Sequence, residues 1–440
     1  MFRGPFRSRA FRLVWSGEMV SMVGDASYEV TFAWLVLSVT GSPATLGAVM
    51  LATTLPRGVL LLLGGAITDR LSPRLVMLVT NVVRGAAVGL LAALVSTGAL
   101  ATWHLYAVGV VVGTAEAFFW PASSSIVPSL VDERDLPRAN ALVGTSEQTA
   151  RLAGPILGGA LVALTSLEAA VAFNALTFFV SAATVFAAPR GLPTPAQGLS
   201  ATTVLRDIRF GLSYAGRSVE IRMVLALIAA STLSYSGLFD VGLPALSRTF
   251  DNGAVVLGVV VSAWGLGQLI GTVSATVTGL PRRWGLLIIG MTILEGTSFA
   301  VLGLVPHYLL VAALLALLGI GVAYSSDVAL PTFVQTRTPP QMLGRVNSVI
   351  DLPRVVLTPL SVAGMGLLAS VDVRWTFTVA AVPMLLVGVG LATSPRARRL
   401  SAGLPPPGTL DPDADPEGGR RRDAHTEVQT GAGGNDVATD

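Results

Sequence analysis

The 440-residue chain has no cysteine and no lysine, only three histidines, and little charge. Each absence closes a route. Without cysteine there is neither a disulfide nor a thiolate metal site. The histidines, at 104, 307 and 425, are too scattered for a metal cluster. All 29 basic residues are arginine. A phosphate-binding P-loop needs a lysine on the terminal phosphates, so ATP hydrolysis within the chain is not expected. A retinal or pyridoxal Schiff base needs lysine too. No catalytic residue, cofactor or metal is therefore expected. Charged residues are 12% of the chain and apolar ones 52%, with a mean hydropathy of +0.69. A soluble chain carries about 25% charge. Half of that cannot cover a wet surface of this length, so most of the surface must face lipid.

What is there is a series of long apolar runs. A membrane span needs roughly 20 mostly apolar residues. Twelve candidates stand at 12–39, 44–66, 75–98, 103–127, 141–165, 168–188, 222–247, 254–278, 284–305, 308–331, 346–370 and 374–393. All should be helices, because lipid cannot satisfy free backbone groups. The first run holds Glu18, Asp25 and Glu29 and shows no cleavage pattern, so it is not read as a signal peptide. Arginines cluster before span 1, after spans 2, 4, 8 and 10, and between spans 6 and 7; the opposite loops hold little beyond Arg248 and Arg374. The positive-inside rule then places both termini in the cytoplasm of a plasma-membrane protein. The segment 190–221 reads as a cytoplasmic linker with an amphipathic helix. It separates residues 1–189 from 222–394. The tail 395–440, poor in large apolar residues, is expected to be disordered.

The halves repeat. "LPRANAL" (136–142) matches "LGRVNSV" (343–349), and "LGAVM" (46–50) matches "LGVVV" (257–261), at displacements of about 207 and 211 residues. Duplicated halves with a site between them characterise many secondary transporters.

The stretch "GGAITDRLSPR" (64–74) interrupts the hydrophobic sequence between spans 2 and 3. It resembles the signature of the major facilitator superfamily, with Gly65, Ile67, Thr68, Asp69, Arg70 and Arg74 in matching positions. Ser72 and Pro73 depart from it. The resemblance implies an all-α membrane fold of twelve helices in two pseudo-symmetric six-helix bundles. It also implies that Gly65, Asp69, Arg70 and Arg74 latch one state of the transport cycle, the acid facing the positive end of helix 11. The segments 118–162 and 339–349 resemble the branch of macrolide-efflux and enterobactin-exporter-like proteins. Within the first, "GPILGG" (Gly154, Pro155, Gly158, Gly159) is similar to an antiporter motif of span 5, although Ala150 replaces its first glycine. Proline can kink a helix and glycines let helices pack closely.

Charges inside spans are functional candidates by default. Glu18, Asp25 and Glu29 share one face of span 1 at about 3.6 residues per turn. A lipid-facing stripe of three acids is not credible, so this face meets a cavity or polar groups. Further acids are Glu116, Glu147, Asp240, Glu295, Asp327 and Asp351; the bases are Arg57, Arg84, Arg151 and Arg354. An acid shielded from water can exchange a proton near neutral pH and so couple proton flow to substrate flow. Asp25, Glu29, Glu116, Glu147 and Asp327 are the candidates for that role. Structural pairing is the competing reading: Glu147 with Arg151 and Asp351 with Arg354 on one helix face, and Arg84 as partner to an acid of span 1 or 4 rather than a substrate contact. Asp327 also reads as a gate. The resemblance implies that spans 1, 4, 7 and 10 line the cavity, where Tyr28, Trp34, Phe119, Trp120, Tyr235, Phe239 and Tyr324 suit an amphipathic ligand or serve as packing.

The expectation is a monomeric, proton-coupled exporter of amphipathic small molecules, working by alternating access. Its partners would be that substrate, protons and the bilayer, and not nucleic acid. An importer or a lysophospholipid flippase is the alternative on the same fold, and a non-transporting receptor or scaffold is the alternative of another class.

Overall fold

The computed structural model describes residues 4–68, 71–189, 218–279, 283–338 and 343–398. The side chains of 62–68 are not described. Asp69, Arg70, residues 190–217 with the expected surface helix, and the tail from 399 onward lie outside the described residues.

Every described element is helical. Twelve long helices follow one another: α1 Arg9–Thr40, α2 Pro43–Thr68, α3 Pro73–Ser96, α4 Thr102–Leu130, α5 Leu136–Leu164 and α6 Leu167–Ala187. Then come α7 Val219–Ser247, α8 Gly253–Thr278, α9 Trp284–Leu302, α10 Tyr308–Thr336, α11 Leu343–Val371 and α12 Val373–Thr393. They overrun the expected spans by a few residues, since a helix need not stop where the hydrocarbon does. Ten are long and apolar enough to cross a membrane. The other two are α1, with Arg9, Arg12 and its three acids, and α5, with Arg138, Glu147 and Arg151.

Local chemistry sets the ends. Ser8, Ser72, Ser166 and Ser218 each accept a hydrogen bond from a first-turn N–H of α1, α3, α6 and α7. Gly41 closes α1 at φ 68°, a left-handed geometry that a side chain would oppose. Two helices are not α-helical throughout: α7 has a π segment at Leu238–Gly242 and α10 another at Ala323–Ala329. Such segments add a residue to a turn and cluster at functional positions. They hold Asp240 and Asp327.

One departure from expectation is the start of the tail. Pro395–Arg398 form a further helical turn, capped by Ser394 and with Ala397 buried. The apolar side chain packs beside α9 and α12, which anchors it.

Helix α1 packs on α5 and α6, α2 on α4, and α3 on α4 and α6; α7 packs on α11 and α12, α8 on α10, and α9 on α12. Two further seams, α5 with α8 and α2 with α11, join the earlier helices to the later ones. Both seams run backbone against backbone. A Cβ on Gly47 would stand 2.7 Å from the Gly366 Cα, and one on Gly258 2.4 Å from the Pro155 carbonyl. Large apolar side chains such as Leu90, Leu164, Leu176 and Leu386 face outward. Exposed Trp103 and Trp375 begin α4 and α12, at the end opposite the arginine-rich loops. Water would penalise such a surface, whereas lipid accepts it, with tryptophan at its border.

Candidate functional site

Three cavities of about 200, 550 and 520 Å³ meet at Arg57. The smallest is bordered by Asp25, Tyr28, Glu29, Glu116 and Asp240. The second lies toward α7, α10 and α11, with Tyr235, Asp240, Glu295 and Asp327 on its wall. The third runs from Asp25 and Arg57 past Glu18 and Trp120 to Phe11, Leu130 and Asn140. Those last residues mark the arginine-rich end, which the third cavity reaches. At the other end the glycine seams hold the helices together: Gly47 on Gly366, and Gly159 on Ala254, whose carbonyl is 2.7 Å from a Cβ added at Gly159.

The acid stripe of α1 meets three different environments. Glu18, 8% exposed, accepts from the Ser181 hydroxyl at 2.5 Å and from the Asn81 amide at 3.5 Å. It is a buried member of a hydrogen-bonded network at the edge of the third cavity. Asp25 faces the cavities and pairs with Arg84 at 3.5 Å. Glu29 lines the cavity with no ion pair to a described residue.

Arg84, 1% exposed, is the largest fully buried side chain among the described residues. Its guanidinium is sandwiched between Phe119 and Phe178, 4.1 and 4.3 Å from the ring centres, and donates to Asn81 Oδ1 at 2.5 Å. Of the two readings of Arg84, the structure places it with the span-1 acid. Arg57 likewise reaches Glu116, Nη1 to Oε2 3.3 Å, from α2 to α4. The sequence singled out neither Asn81 nor Ser181; an amide and a hydroxyl within apolar runs are their only signal.

Glu147 and Arg151 both border the third cavity and do not pair, in contrast to the expected neutralisation within α5; Asp351 and Arg354 do, at 2.8 Å. Asp327 accepts from Gln268 at 3.4 Å. Tyr235 donates to the buried Glu295 at 2.8 Å and packs with Phe239 and Trp264. Phe119 and Trp120 border the third cavity. Trp34 instead lies against Gly253, and Tyr324 bonds Thr278 and the Gly279 carbonyl at the end of α8; neither borders any of these three cavities.

The "GPILGG" residues form a seam. Gly154 and Gly158 admit Ala26 and Ser27 of α1, while Gly159 and Pro155 meet α8. Proline has no N–H, so the Arg151 carbonyl loses its helical donor; Gly265 of α8 packs on that carbonyl. Ser262 accepts from the Ile156 N–H at 3.1 Å across the same seam. Arg74, expected in the latch, donates to the Val185 and Phe186 carbonyls at 3.0 and 2.6 Å. It caps the negative end of α6.

A family model described as transmembrane secretion effector matches residues 3–402. The chain belongs to this family of the major facilitator superfamily. The transporter is 26% identical over 419 residues to the multidrug efflux pump Tap of Mycolicibacterium fortuitum, covering 92% of this chain and 99% of that one. It is 24% identical to macrolide efflux protein A of Streptococcus pyogenes over 77% and 84% of the two chains. It is 27% identical to the enterobactin exporter EntS of Citrobacter koseri over 81% and 84%. Among solved structures, the POT family transporter PepTSo superposes with a TM-score of 0.70 at 12% identity, over 88% of this chain and 97% of that one. The transporter is thus a multi-span membrane protein whose relatives include efflux pumps.

Proposed function

We propose that this transporter exports amphipathic small molecules, driven by protons moving inward. The observation that carries the proposal is Asp25. It stands between a fully buried base and an open cavity, with Glu29 one turn further on and unpaired among the described residues. Substrate and proton would compete for this group, and Arg84 would hold it in place when both are absent. No cofactor takes part. All twelve helices cross the plasma membrane, α1 and α5 included, because Glu18, Asp25, Glu29, Glu147 and Arg151 border the third cavity and Arg9, Arg12 and Arg138 stand at the helix starts. They form two six-helix bundles hinged at the α2–α11 and α5–α8 seams, with both termini cytoplasmic, and the unit is a monomer. The cavity described above is then the inward-facing state. Asp69 and Arg70 latch the arginine-rich end when it closes, and Arg74 anchors that loop to α6. The names of two relatives, a macrolide efflux protein and an enterobactin exporter, support an organic substrate.

The test uses full-length protein in liposomes, with a pH gradient imposed across the membrane and a macrolide or ethidium as cargo. Wild type should move cargo in the direction opposite to the protons. Asp25→Asn should bind cargo and lose the response to the gradient. Gradient-driven transport that survives in Asp25→Asn would remove Asp25 from the coupling step. Cargo moving with the protons would make the protein an importer.

A further inference from the structure

The cavity system is not charged alike on its two sides. Arg57 of α2 meets Glu116 of α4 at 3.3 Å. Gln268 of α8 lies 211 residues further along and meets Asp327 of α10 at 3.4 Å. The same displacement relates "LGAVM" to "LGVVV", takes Glu29 to Asp240, and takes the buried Arg84 to the buried Glu295. At these positions the second half therefore keeps the acids Glu29 and Glu116 as Asp240 and Asp327, and replaces Arg57 by an amide and Arg84 by an acid.

The cavity of about 550 Å³ shows the consequence. Asp240, Glu295, Asp327 and Asp351 border it. Its two bases are engaged, Arg354 with Asp351 and Arg57 with Glu116. Asp240, Glu295 and Asp327 have no basic partner among the described residues. Carboxylates within a membrane-embedded interior are costly unless a cation joins them. Among the described residues, no group of acids and histidines is arranged to hold a metal ion. An organic cation fits better, because Tyr235, Phe239 and Trp264 stand beside the acids as an aromatic wall, with ring centres 5.1 to 5.9 Å apart. Aromatic faces attract weakly hydrated cations. A separate observation points to a ligand as well. Tyr28 is nine-tenths buried, its hydroxyl has no hydrogen-bond partner, and it borders the small cavity that shares Asp240. A buried hydroxyl left unpaired is uncommon, and a ligand's polar group would complete it.

We propose that Asp240, Glu295 and Asp327, with the Tyr235–Phe239–Trp264 wall, form a subsite for an organic cation, a protonated or quaternary nitrogen on the transported molecule, and that Gln268 keeps it vacant for that charge. The subsite rests on the exporter reading of the cavity. An arginine at 268 would do to Asp327 what Arg57 does to Glu116, filling the subsite with a tethered cation.

The test is equilibrium binding to the full chain in lipid nanodiscs, with ethidium as the cationic probe and Nile red as the uncharged one. Gln268→Arg should weaken ethidium about tenfold, the size of one lost cation contact, and Nile red far less. The isosteric Asp327→Asn should act in the same direction, and Gln268→Glu should tighten ethidium. Melting curves of each variant report folding. No saturable ethidium binding by wild type, unchanged affinity in both Gln268→Arg and Asp327→Asn, or equal losses for the two probes would overturn the subsite. Ethidium that binds as expected but is not moved by a pH gradient would count against the exporter reading alone.

Discussion

Arg84 is the residue on which the first half's interior depends. Its charge is balanced by Asp25, its planes are covered by Phe119 and Phe178, and Asn81 links it to Glu18 and Ser181. Removing one member of a buried pair leaves the other uncompensated. Arg84→Leu should lower the stability of the purified protein by about 3 kcal/mol, toward the lower end of the range because Asp25 also faces the cavity. Its melting temperature in detergent would report this. The double variant Arg84→Leu with Asp25→Asn should regain part of the loss, since both charges are then gone. At this scale the sequence was informative about residue type and mute about partners. An acid in a hydrophobic run announces itself; whether it faces a cavity or a buried arginine depends on helix rotation. Thus Asp25, Glu29 and Glu18 share a helical face in sequence and occupy three different settings in the fold.

Among the elements, the seams rather than the individual helices set what can move. Gly47 with Gly366, and Gly159 and Gly258 with the facing backbone, bring α2 to α11 and α5 to α8 at the tryptophan-bordered end. Gly258→Leu would place a side chain on the Pro155 carbonyl and force α8 from α5. With Thr53→Cys as reporter on the cavity wall, a membrane-impermeant thiol reagent applied at that end should react in the Gly258→Leu background and not in its absence. Ser262→Ala, which removes the hydrogen bond to the Ile156 N–H, should cost about 1 kcal/mol and ease separation of the same seam, read as faster labelling of the same cysteine. The helices themselves were legible, because twelve apolar runs of the right length have one solution in lipid. The π segments at Asp240 and Asp327 were not, since nothing in side-chain periodicity signals one added residue per turn.

For the whole molecule, the missing cysteine is an experimental advantage, because any cysteine introduced becomes the single thiol of the chain. Trp103→Cys should react with an impermeant reagent applied to intact cells, and Leu71→Cys, at the arginine-rich end, only after permeabilisation. The reverse pattern would invert the topology. The expected orientation rests on the arginine distribution alone, whereas the unequal charge of the two halves emerged only when the paired helices could be compared. Arg74 adds a mechanical consequence. It grips the last carbonyls of α6, and one turn earlier on the same helix Ser181 grips Glu18. The two holds tie α6 at neighbouring turns to the segment that begins α3 and to the acid network of α1; if they couple the two, Arg74→Ala should change the reactivity of a cysteine placed at Ser181, and unchanged reactivity would show the two contacts to be independent.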